Sequence, residues 1–210
     1  MENTKESIIN HALTLFSERG YDGVSMRDIA KSVGIQAPSL YNHFKSKEDI
    51  FNSIIDEMSK RYHDMAVKNQ VPRGEMNDIV EAYVHVTTEA LVEIAQKMIT
   101  FMIKDDFALK YRKLLTIEQY RSAKAGQAFQ DFFVQGALHF ESNLFKEMMK
   151  YGVFMDCDPL IMAYHFYGPI FLMMNQFHVQ DGSESEALDM VSRHVKQFSK
   201  IYVKHLRENK

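Results

Sequence analysis

Nine histidines, one cysteine and twenty-eight acidic side chains are the residues of this 210-residue chain best suited to hold a metal or move a proton. Their spacing does not gather them. No HExxH pair occurs, and His165, His178, His194 and His205 fall three turns or more apart, so each is expected to be satisfied singly and no metal is expected. The lone Cys157 excludes an intrachain disulfide and a cysteine zinc site, and points to a reducing, cytoplasmic setting. No phosphate-cradling glycine loop, dinucleotide glycine pattern or Cys–His nucleophile pairing is present. Asp105-Asp106 reads as a helix start and not as an acid–base pair, so neither catalysis nor a cofactor is expected. The unusual feature lies elsewhere. From Ile29 to Lys47 nineteen consecutive residues carry no carboxylate, while Lys31, Lys45, Lys47 and His43 stand among them, in a chain of net charge −3. Residues 1–50 hold six Lys/Arg against seven Asp/Glu. Bulk charge therefore gives no support to nucleic-acid binding, and any such case rests on where the charges sit.

The elements that must display this window are helical. Apolar residues recur at the 3.6-residue period almost throughout, no sustained period of two appears, and the fold class is all-α. A first helix starts at Asn3, with Glu6 as its capping partner, and stops before Gly20. Ser25 with Asp28, and Ser46 with Asp49, repeat the Ser-x-x-acid start signal and open helices near 26–33 and 47–68. Pro38 opens a short helix between them. After the linker "KNQVPRGEMN", helices are expected near 76–103, 106–119, 122–151, 159–178 and 184–207, the last two started by Asp158-Pro159 and by Ser183 with Glu186. The middle of 159–178 should be kinked by Gly168-Pro169. No apolar run is long enough to span a membrane, and the polar N-terminus does not fit a secretory signal.

Within the window, Ile29, Ala30 and Val33 share one face of a helix, Gly34 permits a tight turn, and Ile35 plugs the space behind it. Leu40 and Phe44, at i and i+4, form the inner face of the next helix. Two short helices crossing about a small residue and a glycine turn meet the packing requirement of a helix-turn-helix. Gln36, Ala37, Pro38, Ser39, Tyr41, Asn42, His43 and Lys45 must then face outward. That slim N-terminal half could approach base edges in a major groove. Lys45 and Lys47 could reach phosphates, as could the amides at the Ser25 and Ser46 helix starts. An ordinary three-helix bundle with solvated polar residues is the bland alternative for this pattern.

The stretch that ends the first helix, "LFSERGYDGVSMRDIA", followed by "KSVGIQAPSLYNHFKSKEDIF", resembles the TetR/AcrR family of bacterial transcriptional regulators. Phe16, Gly20, Tyr21, Leu40-Tyr41, His43-Phe44 and Lys47 stand where that family has such residues, over roughly residues 5 to 58. The resemblance implies that Tyr41, His43 and Lys47 contact DNA backbone or bases. It also implies that Ser25 and Arg27 touch phosphate and that Gln36, Ala37 and Ser39 face bases. It divides the chain into an N-terminal three-helix DNA-binding bundle with a helix-turn-helix, residues 1–50, and a larger C-terminal helical domain for ligand binding and dimerisation, residues 51–210.

Residues 71–210 hold ten of the fourteen Met and twelve of the fifteen Phe. Such stripes are core by default, yet adaptable Met and flat rings also line pockets for apolar molecules. Tyr62, Tyr83, Met98, Met102, Phe133, Phe140, Tyr164 and Tyr167 are the candidate pocket residues. The 159–178 helix is apolar nearly all round and needs a second packing partner. With the seam Leu188, Val191, Val195, Phe198, Tyr202 and Leu206 of the last helix, and with Phe171 and Met174, it is expected to pair with its copy in a second subunit as a four-helix bundle. The expected function is a ligand-responsive homodimer that binds a palindromic DNA operator, most simply as a repressor released by a small apolar or amphipathic effector. An activator, or a regulator controlled by a protein partner without a small-molecule sensor, remains the alternative.

Overall fold

The computed structural model describes residues 4–177 and 184–204. Asn3, His178, Ser183, His205 and Leu206, which entered the sequence reading, lie outside the described residues. Eleven α-helices hold most of the described residues: α1 Thr4–Arg19, α2 Met26–Val33, α3 Ala37–His43, α4 Lys47–Lys68, α5 Met76–Val84, α6 Thr88–Lys104, α7 Asp106–Glu118, α8 Ala123–Phe129, α9 Gln135–Lys150, α10 Pro159–Gln176 and α11 Glu184–Tyr202. Among the described residues the only β pairing is an isolated bridge between Phe154 and Val203. The chain is all-α, as its periodicity requires.

Helix starts follow their sequence signals. Asp105 caps α7 through Ala108 N–H, Ser122 caps α8 through Ala125 N–H, and Asp158 caps α10 through the amides of Leu160 and Ile161, with Pro159 as the first helical residue. Two stretches expected as single helices are interrupted. Residues 76–103 break after Val84, and Thr87 Oγ1 accepts from Ala90 N–H (3.2 Å) to start α6. Residues 122–151 contain a π-helical turn, Gln130–Val134, between α8 and α9. By contrast α10 continues through Gly168-Pro169 as one helix.

The helices pack as two compact units, each continuous in space and not in sequence: residues 1–64 with 105–130, and residues 65–104 with 131–210. These packing units differ from a functional division at residue 50, because α7 and α8 pack with the N-terminal helices. In the first unit α1 packs on α2 and α7. Its core holds Ile8, Ala12, Phe16, Ile29, Leu40, Ile50, Ile54 and Met58 with Phe107, Tyr111 and Leu115. In the second, α9 packs on α10 and α5, and α11 on α6 and α10. An apolar cluster fills it: Ile79 and Val80 of α5, Leu138, Leu144, Phe145 and Met148 of α9, Met162 and Ala163 of α10, and Phe198 of α11.

Burial corrects the expected dimer seam. Val191, Val195, Phe198 and Met174 are all buried within the second unit, and Leu188 and Tyr202 are half-buried. Phe198 sits inside an aromatic group, 4.8 Å from Phe166, 5.6 Å from Phe145 and 4.7 Å from Tyr202, centroid to centroid. The 3-4 stripe of α11 therefore serves its own subunit, where α6 and α10 cover it. On α10 and α11 the large apolar residues left in solvent are Leu160, Ile161, Tyr164 and Leu172, with Met190 and Ile201.

Candidate nucleic-acid interface

The helix-turn-helix is built by α2, the turn at Gly34 and α3. Ser25 forms a complete capping box: its side chain accepts from Asp28 N–H (3.2 Å) and the Asp28 carboxylate accepts from Ser25 N–H (2.8 Å). The hydrogen bonds from Ser25 also hold the Asp28 carboxyl below its ordinary pKa. At the other end Gly34 adopts φ +77°, and its N–H donates to Lys31 O while Ile35 N–H donates to Ala30 O (3.0 Å). This left-handed closure suits glycine because a Cβ would meet strain in the backbone itself. It packs α3 on α2, with Leu40 (0% exposed) and Phe44 (4%) in the core.

The opposite face is then displayed. Gln36, Pro38, Asn42, His43, Lys45, Ser25 and Arg27 are exposed, Tyr41 is 53% exposed, and Ala37 and Ser39 are half-buried. Gln36 caps α3 by its backbone alone and makes no side-chain capping hydrogen bond. One turn of small residues followed by Tyr, Asn, His and Lys is a surface able to enter a groove and to meet phosphates at its edge.

The acids that flank the window are all committed. Asp28 completes its capping box. Asp49 accepts from Lys45 N–H (3.0 Å), while its own N–H donates to Ser46 Oγ (3.1 Å). Glu48 pairs with Lys124 of α8 at 2.7 Å. The exposed face therefore presents cations and hydrogen-bonding groups, and the three acids nearest to it in sequence are each engaged.

Lys47 departs from this set. Its ammonium donates to the carbonyls of Tyr21 (2.7 Å) and Val24 (3.0 Å) and lies 4.2 Å from the centre of the Tyr21 ring. Tyr21 in turn packs on Phe16 and Phe51 at 5.2 and 5.4 Å, and burial, then Glu48 and Asp22, raise its phenol pKa. The lysine is a tie between the first turn of α4 and the loop that feeds α2. Lys47→Ala should leave two carbonyls without their donor, a loss of about 1–3 kcal/mol and several degrees in melting temperature. DNA affinity should fall alike on all sequences while its salt dependence stays unchanged. A salt titration beside a melting curve checks this, since an ammonium lost from a phosphate would instead make the slope shallower by about one.

Two further residues hold this loop, and local sequence signals do not reveal them. Glu118 at the end of α7 is buried and accepts from Tyr21 N–H (3.1 Å), with Arg121 at 3.5 Å from the same carboxylate oxygen. Lys124 supplies the pair with Glu48. Both lie more than seventy residues from their partners, so only the packing of α7 and α8 beneath the N-terminal helices brings them there.

The expected pocket residues scatter. In the second unit Tyr167 OH donates to Phe133 O at 2.7 Å, and Tyr83 and Tyr167 flank the apolar cluster. Met102 and Phe133 are buried and Met98 is half-buried. Phe140 and Tyr164 are exposed, which removes them from any enclosed lining. Tyr62 is half-buried in the first unit.

A helix-turn-helix with a carboxylate-poor, exposed second helix, at the head of an otherwise helical chain, is an arrangement suited to binding DNA. Residues 8–54 match the family described as "Bacterial regulatory proteins, tetR family". The chain is 43% identical over 65 residues to the biofilm operon icaADBC HTH-type negative transcriptional regulator IcaR of Staphylococcus epidermidis, covering 31% of this chain and 35% of that one. To IcaR of Staphylococcus aureus it is 35% identical over 100 residues, 48% of this chain and 52% of that one. The match thus spans about half or less of these curated relatives. Among solved structures, a TetR-family chain from Mesorhizobium loti aligns with TM-score 0.70 at 23% identity over 96% of this chain and 97% of that one. The flavonoid-responsive regulator FrrA aligns with TM-score 0.63 at 21% identity over 96% and 98%. Residues 8–54 thus match the tetR family's model, and the fold of the chain is the one seen in these solved structures.

Proposed function

We propose that this protein is a homodimeric, effector-responsive repressor of transcription, acting in the cytoplasm on a near-palindromic DNA site. The observation that carries the reading is the orientation of α3: Leu40 and Phe44 are inside, so Gln36, Tyr41 and His43 are outside, and the three acids nearest to that face in sequence are engaged. Repression is supported by the two IcaR relatives, which are negative regulators. Dimerisation is supported by α10, where Ile161, Tyr164, Gly168 and Leu172 follow 3-4-4 spacing and are all exposed. A Cβ added to Gly168 would meet nothing within 4 Å, so a second helix can approach this stripe closely.

Two copies of α3 would lie in successive major grooves, about 34–36 Å apart. An effector changes that separation only in so far as it binds the two states with different affinity. Chain connectivity offers the route. The chain passes between the two packing units at residues 64/65, 104/105 and 130/131. A shift in α9 therefore pulls on α8, whose Lys124 holds Glu48, and through α8 on α7, whose Glu118 holds the Tyr21 amide. FrrA, a protein of the same fold, is flavonoid-responsive, which fits a sensor in this architecture.

The test is footprinting of the purified chain on selected DNA fragments. Protection of a two-fold symmetric site is expected, with Gln36→Ala and Ser39→Ala changing which bases are preferred and His43→Ala weakening binding to all sites. Uniform, sequence-independent binding at moderate salt would overturn the reading.

A further inference from the structure

The second unit contains a carboxylate for which the fold provides an apolar setting and, among the described residues, no hydrogen-bond partner for one of its oxygens. Glu141 lies three residues from Leu138 and Leu144 and four from Phe145, all three members of the apolar cluster. Helical spacing therefore puts its stem on the core face of α9. Its Oε2 is enclosed and makes no hydrogen bond, and desolvation raises its pKa well above the ordinary carboxylate value. The cations that form ion pairs in this unit are engaged elsewhere: Lys104 with Glu184, Lys150 with Glu147 and Arg193 with Asp189. Glu141 as a residue still keeps part of its surface open, which leaves an approach from solvent.

The helix that carries it and the helix packed on that one are bordered by irregular backbone. A π turn, Gln130–Val134, leads directly into α9, and α5, which packs on α9, ends at Val84 before a break to Thr88. Single π turns introduce this kind of local widening at functional sites. Tyr83 and Tyr167 flank the same cluster and offer ring faces, and such faces attract cations. The setting thus combines a buried acceptor with an apolar cluster that aromatic rings flank, and among the described residues no positive charge offsets the burial of the carboxyl.

We infer that Glu141 is the polar anchor of the effector site and that the effector is a cationic amphiphile, with an amine-type head for the carboxylate and an apolar or aromatic body for the cluster. This rests on the effector-responsive reading above. The buried anchor also determines selectivity: a neutral alcohol of the same shape can hydrogen-bond the acceptor but brings no countercharge, and an anionic body opposes it.

Three probes with one apolar body test this: 4-phenylbutylammonium, 4-phenylbutanol and 4-phenylbutanoate, titrated calorimetrically into the full chain and into Glu141→Gln at neutral pH. The wild type should bind the ammonium at least about tenfold more tightly than the alcohol, with the carboxylate weakest. Glu141→Gln should fold, since it keeps the shape and puts a neutral amide where burial already disfavours a charge, and should lose the ammonium preference. Binding of none of the three, equal or tighter binding of the alcohol or carboxylate, or an ammonium preference that survives in Glu141→Gln would each overturn the assignment. DNA affinity is measured on the same samples. Ammonium binding that depends on Glu141 but leaves DNA affinity unchanged supports the site and overturns effector response.

Discussion

Leu172→Glu is expected to give a folded monomer that has lost specific DNA protection. Leu172 is 64% exposed, on the stripe of α10 shared by Ile161, Tyr164 and Gly168. Because it contributes little to its own subunit, the substitution should change the stability of the monomer fold by no more than about 0.5 kcal/mol. In a dimer the same position would be enclosed. There it loses the roughly 1.5–3 kcal/mol of a buried leucine in each subunit and sets two carboxylates near the two-fold axis with no cation opposite. Loss of one half-site contact converts a bivalent complex to a monovalent one, a fall in affinity of about 10²–10⁴. Light scattering coupled to gel filtration gives the oligomeric state, circular dichroism confirms the fold, and footprinting gives the binding. A dimer that persists with an intact footprint would sink the α10 interface.

The N-terminal interface was readable because its signals are local. Ser25 with Asp28, Gly34, Pro38 and the Leu40–Phe44 pair each act within a few residues, and every one sits where its spacing places it. Lys47 was legible as a cation in the right place but not as a tie, because its acceptors are carbonyls twenty-three and twenty-six residues away. The break before α6 left a signal, Thr87 as a cap, that the stronger apolar period on both sides obscured. The cover over the α11 stripe escaped the sequence for a different reason. A 3-4 stripe on α11 says that something apolar must cover it, and α6 and α10 of the same chain do so first. On α10 the period carries no direction at all, since apolar residues surround the helix. Only burial separates Met173 and Met174, which face inward, from Leu172, which does not.

The π turn is the least legible feature and the one whose removal should matter most to the second unit. Adding one residue to a helical turn barely alters the apolar period over thirty residues, yet it rotates all that follows, including Glu141. Gly136 marks its price in space: a Cβ built there would stand 1.9 Å from the carbonyl oxygen of Asp131, a backbone atom that no side-chain rotation can move aside. Gly136→Ala should therefore destabilise by about 1–3 kcal/mol or more, with α9 forced to shift against α5 and α10. Gly168→Ala is the matched control, since the added methyl meets nothing within 4 Å and alanine gains up to about 1 kcal/mol in helix propensity. Both are best measured by urea unfolding in the Leu172→Glu background, where subunit association does not enter. If Gly136→Ala unfolds at the same midpoint as its parent, the turn is not held by that contact. The rotation of α9 that presents Glu141 to the apolar cluster would then need another cause.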